Sequence, residues 1–314
     1  MSEWKILLTD GLANSGKSIL ETKKVSFDDK NGITAEELLD CVGEYDAMIV
    51  RGRTKVTAEV IEKATKLKVV GRCGVGVDNI DLTAAKEKGV VVVNAPVATT
   101  VAVAEHAMAL MLSMVREIPK ADSGLKNGEW LKKSIKGTEL NEKTLGVIGY
   151  GHIGSTVGKY ASAFGMKVVA FDVIATDEQI RELGAEPVDL DTLLEKADVI
   201  TLHVPLNDST KHMISNEAIS KMKDGVRIIS AARGGVIDEE ALLEALNKEK
   251  IASASLDVFE KEPPVNQDLL KHPKFIGTPH LGGQTKEAQS RAAIDIATEV
   301  LNVLEEKDLR WRVA

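Results

Sequence analysis

Short runs of apolar, often β-branched residues recur along this chain and alternate with stretches of helical period. The runs at 5–9, 47–50, 68–71, 90–93, 144–148, 167–171, 199–204, 227–231, 252–258 and 275–277 are mostly apolar at successive positions, not at every second one. That pattern predicts strands covered on both faces, the condition of a parallel sheet. Helical patterns lie at 36–42, 58–66, 153–164, 239–246 and 285–304, with Asp238 placed to cap one of them. Strand and helix alternate without a short repeat, which predicts an α/β fold of parallel sheets with crossover helices. Two such units are expected, one over roughly 1–96 and one from 144 onward. A long apolar helix, 99–116, lies between them in sequence, and Pro119 is expected to close it. Its apolar stretch contains Glu105 and His106 and falls short of the roughly 20 apolar residues a membrane span needs. It therefore predicts a buried helix.

Composition narrows the picture. Hydrophobic types make up 44% of 314 residues, enough for two cores. The 40 basic and 48 acidic side chains leave a net charge of −8, which argues against a nucleic-acid or anionic-membrane partner. Cys41 and Cys73 form no C-x-x-C pattern, so two free thiols in a reducing cytosol are expected. After Met1–Lys5 the only early apolar run, Ile6-Leu7-Leu8, is too short for a signal-peptide core. The expectation is a cytoplasmic protein, and no metal-ligand set is assigned.

The strand pattern at 144–148 runs into Gly149-Tyr150-Gly151-His152-Ile153-Gly154, followed by a helical pattern. A strand–GxGxxG–helix order is the context in which this motif binds a dinucleotide. Gly149 allows a tight turn, Gly151 lets a pyrophosphate approach the backbone, and Gly154 lets helix and strand pack closely. The pyrophosphate then meets the free N–H groups and positive dipole end of the helix, with His152 and Ile153 in its first turn. Asp172 ends the next strand pattern, 18 positions after Gly154. That matches the carboxylate, about 20 residues on, which accepts from an adenosine ribose. No Arg or Lys follows it in Val173–Thr176, so NAD is predicted over NADP.

Ligands of parallel α/β sheets bind beyond the carboxyl ends of strands. Three predicted strand ends carry unusual polar residues: Arg233 before Gly234-Gly235, Glu262 before Pro263-Pro264, and His280 in Thr278–Gly283. Singly, each suits a loop arginine, a solvated turn or a structural histidine. Together they fit hydride transfer at a hydroxyacid. A planar guanidinium holds a carboxylate bidentately. A histidine exchanges the hydroxyl proton, and a neighbouring carboxylate favours its charged form and fixes its tautomer.

Motifs in the same order make the chain resemble the D-2-hydroxyacid dehydrogenase family over nearly its whole length. The landmarks are Arg51–Thr57, Gly74–Asn79, Val103–His106, Gly137–Leu140, Gly149–Gly154, His203–Leu206, Ala232–Gly235, Leu256–Phe259 and Thr278–Gly283. The resemblance implies that Arg233, Glu262 and His280 are catalytic. It also implies NAD contacts from Asp257, from the backbone around His203, Val204 and Pro205, from Ala231 and Ala232, and from Gly282 and Gly283. It places a loop of Gly74, Val75 and Gly76 near the substrate carboxylate. In domain plan it implies two Rossmann- or flavodoxin-like domains. An NAD-binding domain, 98–287, is inserted into a substrate domain made of 1–97 and 288–314, with the active site in a cleft between them. Two departures stand out. His152 occupies a position often held by Arg, and Thr99-Thr100 stands where Asn-Ser or Asn-Thr is common.

Within the family, Arg51 and Arg53 follow a buried strand in a segment similar to that of members acting on 3-phosphoglycerate. The resemblance then implies NAD-dependent oxidation of this phosphorylated hydroxyacid to 3-phosphooxypyruvate, the entry to serine synthesis. Lys132 and Lys133 add charge nearby. A hydroxypyruvate or glyoxylate reductase is the nearest alternative, and a non-enzymatic NAD sensor of the same fold is another. The resemblance also implies a homodimer or homotetramer. With nothing after Ala314, a short form lacking a C-terminal regulatory domain is expected.

Overall fold

The computed structural model describes residues 4–314. Met1–Glu3, where the leader reading begins, lie outside the described residues. The chain divides into two compact units. One takes in the chain up to Thr100 together with Gly283–Ala314, and the other is Val101–Gly282.

The first unit is built on five strands: β1 (Lys5–Leu8), β2 (Ser26–Asp29), β3 (Ala47–Val50), β4 (Val69–Arg72) and β5 (Val91–Asn94). All pair in parallel, in the order β2-β1-β3-β4-β5. The four apolar runs predicted here are strands, and β3 is buried at every position. The sequence pattern passed over β2 because it is a polar edge strand, Ser-Phe-Asp-Asp, covered on one side only. The connecting helices are α1 (Asn14–Thr22), α2 (Ala35–Cys41), α3 (Ala58–Lys63) and α4 (Leu82–Glu87). Strand order reverses between β1 and β3, so a crevice-forming switch point lies at their carboxyl ends.

The last helix of the chain, α13 (Lys286–Leu304), belongs to this unit and packs on α1 and across β3, β4 and β5. Small residues set its approach. A Cβ at Gly16 would stand 2.6 Å from the carbonyl oxygen of Ala293, and one at Gly71 would stand 2.6 Å from Val300. Alanine at Gly16 would force α1 and α13 apart, and alanine at Gly71 would force α13 away from β4. Beyond α13 the chain runs along β5, where Val313 donates to the Val92 carbonyl and Asn94 to that of Trp311. Glu299, fully buried on α13, fastens this tail by accepting from the Arg310 and Trp311 N–H groups.

The second unit holds seven parallel strands: β6 (Thr144–Ile148), β7 (Lys167–Phe171), β8 (Glu186–Pro187), β9 (Val199–Leu202), β10 (Val226–Ser230), β11 (Ile251–Leu256) and β12 (Phe275–Gly277). Their order is β12-β11-β10-β9-β6-β7-β8, with the reversal between β6 and β9. Its helices are α5 (Thr100–Val115), α6 (Ile118–Lys126), α7 (His152–Ala163), α8 (Asp177–Glu182), α9 (Leu190–Lys196), α10 (Asn216–Lys221), α11 (Glu239–Asn247) and α12 (Gln267–Lys271). Asp238 caps α11 as expected, accepting from the N–H groups of Glu240 and Ala241. Pro119 does not close α5. That helix stops at Val115, Glu117 turns left-handed at φ 51°, and Pro119 enters the first turn of α6. A first-turn N–H has no helical partner to lose, so proline costs nothing there. Among the described residues no helix is long and apolar enough to cross a membrane.

Candidate active site

The carboxyl edge of the second sheet begins with the glycine turn between β6 and α7. Gly149 has φ 88°, and a Cβ on it would lie 2.7 Å from the His203 carbonyl oxygen. A Cβ at Gly154 would lie 2.0 Å from the carbonyl oxygen of Gly149, so both positions admit glycine only. A Cβ at Gly151, by contrast, would meet nothing within 4 Å. Gly151 is the N-cap of α7 and supplies no side-chain cap, which leaves the first N–H groups of a 12-residue helix facing open backbone. That arrangement fits an anionic pyrophosphate. His152 and Ile153 form the first turn, His152 being exposed.

Asp172 follows β7 and is partly buried at this turn. One carboxylate oxygen accepts from the Tyr150 N–H at 2.6 Å, and the other accepts from Ile174 and Ala175. The aspartate is thereby held rigidly beside the glycine turn, as a ribose acceptor must be. Val173 and Ile174 next to it are 82% and 90% exposed. Large apolar side chains so exposed beside a nucleotide-type carboxylate offer an apolar surface to a flat ring. In the sequence this segment stands out only for its lack of basic residues.

Beyond β9, His203 donates its N–H to the Ile148 carbonyl, and its ring Nε2 lies 2.9 Å from Oγ1 of buried Thr201. Burial pushes its imidazole down to about 4, so the ring is neutral at neutral pH. Val204 and Pro205 carry the chain out to Leu206, which is 41% exposed. Beyond β10, Ala231 and Ala232 lead to Arg233, whose Nη1 donates to the Ala232 carbonyl at 2.7 Å. Gly234 is pressed against the next segment: a Cβ there would stand 1.7 Å from the carbonyl oxygen of Phe259.

His280 and Glu262 meet. His280 Nδ1 and Glu262 Oε2 are 2.9 Å apart, and the other Glu262 oxygen accepts from the Phe259 N–H at 3.2 Å. The pairing occupies Nδ1 and leaves Nε2 as the ring nitrogen available for proton exchange. His280 itself is left-handed, at φ 55°, a conformation costing a non-glycine residue roughly 1–2 kcal/mol.

Asp257 holds that turn together. It is 1% exposed, and its backbone carbonyl accepts from the His280 N–H at 2.9 Å. Oδ1 accepts from Thr278 Oγ1 at 2.6 Å and the Leu281 N–H at 2.7 Å, and lies 3.2 Å from His106 Nε2. Oδ2 accepts from the Gly282 N–H at 2.8 Å. Burial raises the Asp257 carboxyl, but the bonds from His106, Thr278, Leu281 and Gly282 outweigh it and hold the group below the usual range. The family resemblance implied a cofactor contact for this residue. Here it is the hub that shapes the loop carrying His280. In the sequence His106 and Thr278 stand out only as letters of family motifs, because nothing local joins helix α5 to the end of β11.

The first unit brings Arg51, Arg53 and the Gly74 loop to the carboxyl edge of its own sheet. Arg53 donates to the carbonyls of Thr9 (2.8 Å) and Ile33 (3.1 Å) and lies 3.0 Å from Asp10. Asp10 also accepts from the Arg51 N–H, the Thr54 N–H and the Thr54 hydroxyl. Its burial is again outweighed by these bonds and by the Arg53 charge, so its carboxyl sits low. The Arg51 guanidinium has no hydrogen-bond partner among the described residues. Arg72, which ends β4, was not singled out from the sequence. Its guanidinium lies over Gly74, where a Cβ would come within 1.5 Å of Nη1. Only glycine, here at φ 145°, lets the Gly74-Val75-Gly76 loop and this arginine share the space. Cys73 is buried between these groups. Burial pushes its thiol up to about 11, while the charges of Arg51 and Arg72 pull the other way. Gly283 packs against Thr99 within this unit. Lys132 and Lys133, in the other unit, are exposed.

A switch-point sheet with a nucleotide-type glycine turn, a ribose-type carboxylate and a paired histidine defines a dinucleotide-dependent dehydrogenase class. Comparison agrees: residues 108–282 match the D-isomer specific 2-hydroxyacid dehydrogenase, NAD binding domain, model. The chain belongs to this family, and the second unit is its NAD-binding part. It is 51% identical to D-3-phosphoglycerate dehydrogenase of Methanocaldococcus jannaschii over 301 residues, which is 96% of this chain and 57% of that protein. It is 45% identical to the hydroxypyruvate reductase of Thermotoga maritima over 307 residues, covering 97% and 99% of the two chains. It therefore spans little more than half the length of the phosphoglycerate dehydrogenase but matches the reductase end to end. Among solved structures, a glyoxylate reductase from Paecilomyes thermophila superposes with a TM-score of 0.91 at 33% identity, over 100% of this chain and 99% of that one.

Proposed function

We propose that the chain catalyses NAD-linked interconversion of a 2-hydroxyacid and its 2-oxoacid, with 3-phosphoglycerate and 3-phosphooxypyruvate as the preferred pair. The observation that carries this reading is the 2.9 Å His280–Glu262 contact at the carboxyl edge of the sheet that bears the glycine turn. A nicotinamide cofactor bound at the glycine turn would supply the hydride chemistry at C2. In oxidation the C2 hydroxyl proton passes to His280 Nε2, and in reduction the same atom returns it. Glu262 stabilises the imidazolium that forms and keeps the ring in one orientation. Arg233 takes the substrate carboxylate with its planar fork, and Arg51 takes the phosphate. Gly149–Gly154 and Asp172 would hold the pyrophosphate and ribose, and the exposed Val173 and Ile174 would offer an apolar face to the adenine. The protein acts in the cytoplasm as a homodimer or homotetramer.

A second reading, hydroxypyruvate reduction, is favoured by the end-to-end match to the Thermotoga maritima reductase. It uses the same hydride and proton steps and differs only in what Arg51 meets. NADH formation from a panel of 2-hydroxyacids, each tested with and without a 3-phosphate, separates the two. Turnover of 3-phosphoglycerate well above glycerate supports the first reading, equal turnover supports the second, and no turnover of any 2-hydroxyacid or 2-oxoacid rejects both.

A further inference from the structure

A second set of ionisable side chains stands behind the His280–Glu262 contact, and neither the hydride nor the proton step uses it. Glu239, the first residue of α11, is only 7% exposed. Its carboxylate accepts the Glu260 N–H at 2.7 Å, and the Glu260 carboxylate accepts the Glu239 N–H at 3.3 Å. The same Glu260 oxygen lies 3.1 Å from His212 Nε2. His212 is left-handed at φ 49°, and its own N–H donates to the Gly235 carbonyl at 2.8 Å.

These bonds lace together three segments that are distant in sequence. Gly235 directly follows the Arg233-Gly234 pair, whose backbone touches that of Phe259 and Glu260. Phe259 in turn donates its N–H to Glu262. Arg233 and Glu262 are therefore each two residues from a clamped peptide.

General stability is a poor account of this arrangement. The His212–Glu260 pair is about 40% exposed on both sides, and exposed pairs are worth about 0–1 kcal/mol. Burial of Glu239, offset in part by the Glu260 N–H and reinforced by the Glu260 and Glu240 charges, pushes its carboxyl up. The acid is thus held at a cost, in a place where its acceptor oxygen anchors one peptide. The charges acting on it are those of Glu260, from the Glu262 loop, and of Glu240, from α11.

We propose that Glu239, Glu260 and His212 are positioning residues that hold the Arg233 loop and the Glu262 loop in register, so that the carboxylate-binding arginine and the Glu262 partner of His280 are placed together. The inference rests on the dehydrogenase reading above for the roles of Arg233 and His280.

The test compares Glu239→Ala, Glu260→Ala and the milder His212→Gln with Glu239→Gln, whose amide oxygen still accepts the Glu260 N–H. Two readouts apply: steady-state kinetics with a 2-oxoacid and NADH, and the NMR resonances of the His280 ring, which need no turnover. Misplacement of reacting groups costs up to about 100-fold. The alanine variants should raise KM for the 2-oxoacid and lower kcat, by about 10-fold together or more, with NADH affinity within about twofold of wild type. The His280 ring resonances should move, because a displaced Glu262 no longer meets Nδ1. His212→Gln should shift both readouts the same way by less, and Glu239→Gln should stay near wild type. Alanine variants that lose only thermal stability, with KM and the His280 resonances unchanged, overturn the proposal. Should Glu239→Ala fail to fold, the exposed Glu260 and His212 variants decide alone. Should the wild type turn over no 2-oxoacid, the functional reading fails while the His280 resonances still decide the clamp.

Discussion

The carboxyl edges of the two sheets use charge differently. At the second, Glu262 accepts from Phe259 on one oxygen and meets His280 on the other, and Asp257 spends both oxygens on the loop that carries His280. The groups proposed to handle the proton are thus held by contacts within the protein, which is what electrostatic preorganisation requires. At the first edge, two arginines two residues apart are treated unequally. Arg53 is bound to Thr9, Ile33 and Asp10, while the Arg51 guanidinium has no partner among the described residues. In the proposed reading the edge of the second sheet carries the chemistry that every substrate of the class shares. The other leaves the Arg51 guanidinium without a partner among the described residues, where the proposed reading has it meet the substrate phosphate.

The largest effect should come from breaking the shared chemistry. His280→Asn removes the proton carrier, and loss of a positioned acid/base group costs about 10²–10⁴-fold. We expect kcat for NADH oxidation to fall within that range while NADH affinity, measured by fluorescence titration, stays within about twofold of wild type. Wild-type kcat in this variant removes His280 from the proton step.

Next come the two arginines. Arg53→Ala leaves two carbonyls and the buried Asp10 short of a charged donor, at a cost of about 1–3 kcal/mol. Thermal denaturation should show a clear drop in Tm for Arg53→Ala and almost none for Arg51→Ala. Equal Tm losses would end the distinction between a structural and a ligand-facing arginine.

A smaller effect concerns pH. Burial pushes the His203 imidazole from its ordinary value near 6.5 down to about 4. As pH falls, the unfolded chain takes up this proton first. The stabilisation from the neutral buried ring is therefore complete above about pH 6.5 and is lost as pH drops towards 4. Urea midpoints should fall over that window in the wild type and less steeply in His203→Gln. Parallel pH profiles would show that the ring is solvated.

Much of this was legible in the sequence. Ten apolar runs predicted ten strands, the glycine turn lay between strand and helix as read, and Asp238 capped α11. What escaped notice has a physical cause. β2 and the two-residue β8 are edge strands and carry no continuous apolar run. Helices such as α4 and α10 are six residues long, too short to show a period, although their caps Asp81 and Ser215 are visible in the sequence. At the site, the sequence indicated the polar residues at strand ends but not their bonds. Arg53 and Arg51 look alike as letters and differ only in that Thr9, Ile33 and Asp10 converge on one of them. The Asp257–His106 contact spans 151 positions and the Glu239–Glu260 exchange spans 21, and polar pairing over such distances leaves no periodic trace.

The contrast between the two edges is tested most directly by one ratio, kcat/KM for 3-phosphooxypyruvate over that for hydroxypyruvate, measured in the wild type and in Arg51→Ala. A charge-assisted bond to phosphate is worth roughly 1.5–3 kcal/mol, or about 10- to 100-fold. The account predicts a wild-type ratio of about that size that collapses towards unity in Arg51→Ala, with hydroxypyruvate turnover spared. A wild-type ratio near one, or a high ratio that survives the loss of Arg51, contradicts it.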